Sequence, residues 1–170
     1  MNKERTMHTN TKLVRLQDGT IVNVSQITER LFLGGIVYDE NLLRRFIEEN
    51  NIKAIVSVWD DDRLKVERFG IPASDYLYIC IHDNQLADIM QHFEETYKFL
   101  HQKAHVEQKN VYVHCHAGVS RSASIIIYYC MRHYHISLAE AYRMVDERRR
   151  IRPNDSFVRQ LEMAESSLEF

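Results

Sequence analysis

Apolar and polar positions along this chain change period several times, and each change marks an element. Ile21 to Ile27 roughly alternates apolar and polar, as a half-buried strand does. Leu31, Phe32 and Leu33 followed by Gly34-Gly35 predict a second short strand ending in a turn. Leu42, Leu43, Phe46 and Ile47 share one face at helical spacing. Ile52 to Val58 is mostly apolar and β-branched, which predicts a buried strand closed by Trp59 and three aspartates. Tyr76 to Ile81 is the next strand, after the Pro72 break. Ile89, Phe93, Tyr97 and Leu100 then form one helical stripe, and Val111 to His114 is a short buried strand. Ser120 to Tyr134 is apolar nearly all round, which predicts a central helix. Ser137 to Glu140 is a capping box opening another helix. Beyond Pro153, Asn154 or Asp155 caps a last helix carrying Phe157, Val158, Leu161 and Ala164.

Strands alternating with helices imply an α/β domain with a central, mostly parallel sheet flanked by helices. Three consecutive helices at the C-terminal end predict a helical layer on one face. The 170 residues suit one domain. A net charge of −2 speaks against a general nucleic-acid binder but leaves room for a local basic pocket. Three widely spaced cysteines, without a C-x-x-C, fit a reducing compartment rather than a disulfide framework. No apolar run reaches a membrane span, the first ten residues lack the core of a signal peptide, and residue 2 is Asn rather than a myristoylatable Gly. The expectation is a cytoplasmic protein, with the nucleus also open, that does not associate with membranes.

The chemistry is concentrated in Val113 to Ser122. A loop between a strand and a buried helix turns its backbone N–H groups inward, as an anion-binding nest. The helix N-terminus behind it adds roughly half a positive charge. Gly118 permits the turn. Arg121 supplies a planar fork matching two phosphate oxygens. At the base of such a nest the Cys115 thiolate is favoured, the setting in which thiol pKa values fall to roughly 3.5–7.5. It is placed to attack phosphorus in line and form a phosphocysteine. Ser122 is placed to hydrogen-bond the sulfur and help it leave.

This segment resembles the His-Cys-x5-Arg-Ser/Thr signature of the cysteine-based protein tyrosine phosphatases, and its Ala-Gly and Ser-Arg-Ser resemble the dual-specificity branch in its small, atypical form. The likeness covers roughly residues 21–165, including Ile27 to Gly34, Ile52 to Asp60 and Arg152-Pro153-Asn154-x-x-Phe157-x-x-Gln160-Leu161. It implies a phosphatase-like strand, phosphate loop and buried helix, with residues 21–168 as the catalytic domain and 1–20 as an N-terminal segment, flexible or docked on a partner. It implies Cys115, Arg121 and Ser122 as catalytic, and His116, Ala117, Gly118, Val119, Ser120 and Arg121 as the substrate-binding loop. A general acid is also required. Chemistry alone leaves Asp83 and Asp88 open; the family register selects Asp83 and gives Asp88 to a helix cap. By the same likeness, Asn154 steadies the phosphate loop and His114 supports the thiolate through nearby backbone.

Further patterns have plainer readings. His82, His114, His116, His133 and His135 lack a carboxylate completing a ligand spacing, and the chemistry needs no metal or cofactor. Cys80 and Cys130 read as buried small apolar residues. Arg143, Arg148, Arg149, Arg150 and Arg152 read as a solvated helix face paired with Asp146 and Glu147, and Asp60 to Asp62 as a solvated loop. The implied substrates are proteins phosphorylated on tyrosine and on serine or threonine, with a monomer or an N-terminally mediated homodimer. If the arginines instead form a basic rim, an RNA 5′-phosphate or a phosphoinositide becomes the alternative substrate. A non-catalytic phosphate-binding module is the third reading, against which both Cys115 and Arg121 stand.

Overall fold

A computed structural model describes residues 11–168. Strands β1 (Val14–Arg15) and β2 (Ile21–Val22) form a small antiparallel pair. Five further strands build the central sheet: β3 (Val24–Gln26), β4 (Leu31–Gly35), β5 (Ile52–Val58), β6 (Tyr76–Ile79) and β7 (Asn110–Cys115). Their spatial order is β3-β4-β7-β5-β6. Only the β3–β4 pair is antiparallel; β4, β7, β5 and β6 run parallel. β7, which leads into the phosphate loop, is therefore central.

The sheet separates two cores, and the period of two decides which side chain enters which. On one face Leu31, Leu33, Ala54, Val56, Val111 and Val113 pack under four helices. These are α2 (Phe93–Leu100), α3 (Arg121–Tyr134), α4 (Leu138–Asp146) and α5 (Asp155–Ser167). On the other face Phe32, Ile55 and Tyr112 meet Leu43, Phe46 and Ile47 of α1 (Glu40–Glu49). Phe46 meets Tyr112 edge-on, with ring centroids 5.2 Å apart. Each such side chain contributes roughly 1.5–3 kcal/mol when fully buried. The eleven residues from Arg121 to Met131 are all buried, so α3 is the central helix its composition predicts. Asp39 caps α1 through Leu42 N–H at 3.1 Å, and Asn154 caps α5 through Phe157 N–H at 2.9 Å. In the capping box Ser137 Oγ accepts from Glu140 N–H at 3.1 Å, but Glu140 answers by accepting from the Ser137 hydroxyl, not from its backbone.

Some expectations change. The alternating run over 21–27 is two short strands, because Asn23 leaves the ladder and its carbonyl accepts Gly35 N–H at 3.1 Å. The middle helix starts as a 3-10 turn (Met90–His92) and ends as a π turn (His101–Val106). Cys80 is exposed, contrary to the buried reading, because β6 ends one residue before it. Residues 11–20 join the domain: Leu16 is buried, Lys12 N–H donates to Arg148 O, and Arg150 N–H donates to Thr11 Oγ1. Residues 1–10, where partner docking was expected, lie outside the described residues.

A Cβ on Gly34 would lie 2.5 Å from Asn23 O and 2.8 Å from Val24 Cα, both backbone atoms that cannot swing aside. Gly34→Ala is expected to cost about 1–3 kcal/mol. Urea unfolding should show a lowered midpoint with an unchanged slope.

Candidate active site

The loop His116–Ser120 joins the end of β7 to the start of α3. Cys115 closes the strand and is 2% exposed. Gly118 has φ +75°, and a Cβ there would collide with the backbone of Gly34 and Gly35. A Cβ on Gly35 would in turn lie 2.8 Å from His116 O. Three glycines thus let the loop and β4 touch backbone to backbone.

The outward side of the loop is fully accounted for. His116 O accepts Ile36 N–H at 3.2 Å, and Val119 O accepts Arg152 N–H at 2.8 Å. Ser120 O accepts the N–H and hydroxyl of Ser124 at 2.9 and 2.8 Å. Ala117 O and Gly118 O accept from Arg149, at 3.1 Å from Nη2 and 2.8 Å from Nε. With carbonyls turned outward, the loop amides are left for an anion inside. Arg149 also donates to Ser25 Oγ at 3.2 Å and Asn23 Oδ1 at 2.8 Å. It is 3% exposed, so the solvated-face reading of the arginines fails for it. Nor do the expected carboxylate pairs carry the cluster: Asp146 caps Ile151 N–H at 3.1 Å, and Arg148 Nε donates to Gln26 O at 2.9 Å. The missed signal was spacing. Ala141 and Val145 are buried four residues apart, and the next step of four lands on Arg149.

Cys115 Sγ accepts Gly118 N–H at 3.2 Å and lies 3.0 Å from Ser122 Oγ. When the sulfur is a thiolate, the hydroxyl is the donor. Behind it, fully buried His114 places Nδ1 3.1 Å from Cys115 O and Nε2 2.6 Å from Ser57 Oγ. A carbonyl only accepts, so Nδ1 carries the proton and Nε2 accepts from Ser57. Burial is the main cause that pushes the His114 pKa down to about 4, so the ring is neutral. The family-implied contact with nearby backbone is present.

Arg121 is 8% exposed. Its Nη1 donates to Asp60 Oδ1 and to Ile81 O, each at 3.0 Å. Asp60 itself stays exposed, as the solvated-loop reading expects, yet it is paired with Arg121. Asp83 lies on the loop after β6, and its Oδ1 accepts from Ser120 Oγ at 2.7 Å and Asn154 Nδ2 at 2.9 Å. Asp88 sits at a turn, accepting Gln91 N–H at 3.2 Å. Asn154 does more than the likeness implied: its backbone N–H donates to Ser120 Oγ at 3.0 Å, and its amide also reaches Asn84 O at 3.2 Å. Gln160 holds the far end of the same loop, accepting Ile89 and Met90 N–H at 2.9 Å each. At the other side of the mouth His116 Nδ1 lies 3.0 Å from the hydroxyl of Tyr38, a residue the sequence reading did not single out. His133 stacks on Tyr129, with centroids 5.0 Å apart, and Cys130 is a buried thiol whose pKa burial pushes up to about 12.

A cysteine at the floor of an anion-binding loop, a fork-bearing arginine at the helix start and a carboxyl tied across the mouth are the parts of a cysteine-based phosphatase. Residues 33–167 match the family described as "Dual specificity phosphatase, catalytic domain". The chain belongs to that family. It is 38% identical over 146 residues to AMV078 of Amsacta moorei entomopoxvirus, assigned by name to the tyrosine-protein phosphatases, covering 85% of this chain and 88% of that one. It is 34% identical over 147 residues to human dual specificity protein phosphatase 14, covering 86% and 71%. Human Slingshot homolog 2 is 35% identical over 145 residues, but the chain spans only 10% of its length. Among solved structures, Cydia pomonella PTP-2 phosphatase superposes with a TM-score of 0.78 at 34% identity, over 83% of this chain and 89% of that one.

Arg149→Ala strands the carbonyls of Ala117 and Gly118, at about 1–3 kcal/mol each. Urea unfolding should show at least about 2 kcal/mol lost. At a temperature where the variant stays folded, kcat/KM on a small aryl phosphate should fall at least about tenfold. His114 sets a pH dependence of stability. Its folded pKa lies below the unfolded value near 6.5, so the unfolded chain binds the proton better. Stability is full above about pH 7 and falls as the pH drops toward 4. Wild type should lose about 2 kcal/mol more than His114→Asn between pH 7 and pH 5, read from urea midpoints.

Proposed function

We propose that this chain hydrolyses phosphotyrosine and phosphoserine or phosphothreonine in proteins through a phosphocysteine intermediate. One observation carries the reading: Cys115, Arg121 and Asp83 meet at a single loop whose carbonyls all find partners outside it. The Cys115 thiolate attacks phosphorus while the ester P–O bond breaks. Asp83, protonated, gives its proton to the departing oxygen. Both bonds to Asp83 fall on Oδ1, which leaves Oδ2 to carry that proton. In the second step Asp83 takes a proton from water. The water oxygen bonds to phosphorus, the P–S bond breaks, and the Ser122 hydroxyl stabilises the departing thiolate from 3.0 Å. The loop amides and Arg121 hold the three equatorial oxygens throughout.

Breadth among phosphorylated residues is supported by exposed apolar side chains on the segments that carry the site. Tyr38 is 58% and Leu86 is 95% exposed, one bonded to His116 and the other three residues from Asp83. Both are exposed apolar surface available to a peptide. The RNA and phosphoinositide alternative rested on the arginine cluster, and Arg149 is withdrawn from that rim into the interior.

Phosphate release from a phosphotyrosine peptide and a phosphothreonine peptide, with chelator present, tests this. Wild type should release phosphate from both, and Cys115→Ser from neither. Asp83→Asn should lose roughly 10²–10⁴ in kcat on phosphothreonine, and less on an aryl phosphate with a good leaving group. Release confined to an RNA 5′-triphosphate or a phosphoinositide would overturn the substrate class; release surviving in Cys115→Ser would overturn the mechanism.

A further inference from the structure

Tyr112 lies on β7, in the core that the sheet shares with α1, and is fully buried. Phe46 meets its ring edge-on, and His114 stacks on it with centroids 5.2 Å apart and planes 24° apart. Phe32 and Ile55 complete an apolar setting. A phenylalanine would suit such a place, and a buried hydroxyl is costly unless it is bonded. The Tyr112 hydroxyl donates to Gly35 O, at the end of β4. That carbonyl shares its peptide group with Ile36 N–H, which donates to His116 O at 3.2 Å. His116 O in turn shares its peptide group with Ala117 N–H. No peptide bond is cis among the described residues, so in each group the N–H points away from the C=O. His116 O faces outward to Ile36, and Ala117 N–H therefore faces the anion side of the loop. Two peptide planes in series join the Tyr112 hydroxyl to an amide of the phosphate loop.

We infer that Tyr112 is a positioning residue of the phosphate loop, aligning the Ala117 amide on the phosphoryl group through the Gly35–Ile36 and His116–Ala117 peptides. The inference rests on the phosphatase reading above and adds a residue to its machinery. A donor on a carbonyl polarises the N–H of the same peptide group, so each bond in the series strengthens the next. The other bond at Gly35, from its N–H to Asn23 O at 3.1 Å, belongs to the preceding peptide and does not fix this one. Without the hydroxyl, Gly35 O loses that donor, and the plane that grips His116 O is free to tilt. Ala117 N–H then tilts with it.

The test compares Tyr112→Phe, which deletes only the hydroxyl, with Ile55→Val. Ile55 pairs with Tyr112 across β5 and β7, so its variant softens the same core without touching the series. The readouts are kcat/KM on p-nitrophenyl phosphate, the inhibition constant of tungstate, and the Ala117 amide proton resonance in the tungstate complex. All are taken below the melting temperature of both variants. We expect Tyr112→Phe to lose about 5- to 30-fold in kcat/KM and to weaken tungstate inhibition in step. Its Ala117 amide proton should move upfield of the wild-type position, as a weakened hydrogen bond requires. Ile55→Val should keep the wild-type values of all three, whatever its melting temperature. Unchanged tungstate inhibition in folded Tyr112→Phe would reduce the hydroxyl to a core contact and overturn the proposal. Equal losses in Ile55→Val would also overturn it, by making the effect a general softening of the core. Absence of Cys115-dependent release in wild type, with tungstate still bound, would instead sink the phosphatase reading itself.

Discussion

Everything at this site depends on where the carbonyls of one short loop go. Backbone amides can converge on an anion only if the carbonyls between them diverge, and a diverging carbonyl in a protein interior must find a donor. The chain supplies those donors from several places: Ile36 after β4, Ser124 one turn into α3, and Arg149 and Arg152 beyond α4. Gly34, Gly35 and Gly118 let the loop come close enough for the first of them to reach. The nucleophile is thus the visible part of an arrangement maintained almost entirely behind it.

The parallel sheet explains why the remaining groups arrive at the same end. β5 and β7 run side by side in one direction, so the segments leaving their carboxyl ends emerge together. Asp60 follows β5, Cys115 ends β7, and the Asp83 loop follows β6, the next parallel strand. α5 then contributes from the other side of the loop, with Asn154 at its cap and Gln160 on its second turn. Asn154 alone touches the phosphate loop, the acid and its own helix, so these three cannot shift independently.

What could be read beforehand was what is local. The strand Ile52–Val58 and the nucleophile loop are contiguous, and their patterns survive without knowledge of the rest of the chain. Asp83 was separable from Asp88 only through family register, and the hydrogen bonds to Ser120 and Asn154 give the physical reason for the choice. Arg149 and Asp60 were illegible because their partners lie far away. Asp60 and Arg121 are 61 positions apart, and Arg149 reaches back 126 positions to Asn23. Arg149, in a run of charges, looks solvated until the chain closes over it. The exposure of Cys80 was missed for the opposite reason: the expected strand ran through it to Ile81, and β6 stops before it.

The hold that α5 has on the acid loop also sets an order in time. A ribosome makes the thiol at residue 115 and the arginine at 121 well before it makes Arg149, Asn154 and Gln160. Until those later residues emerge, two of the loop's carbonyls lack their donors and the acid is untethered. A nascent chain stalled inside α4 would carry the full signature sequence without those supports. Completion of the centre therefore waits on residues made after the signature itself.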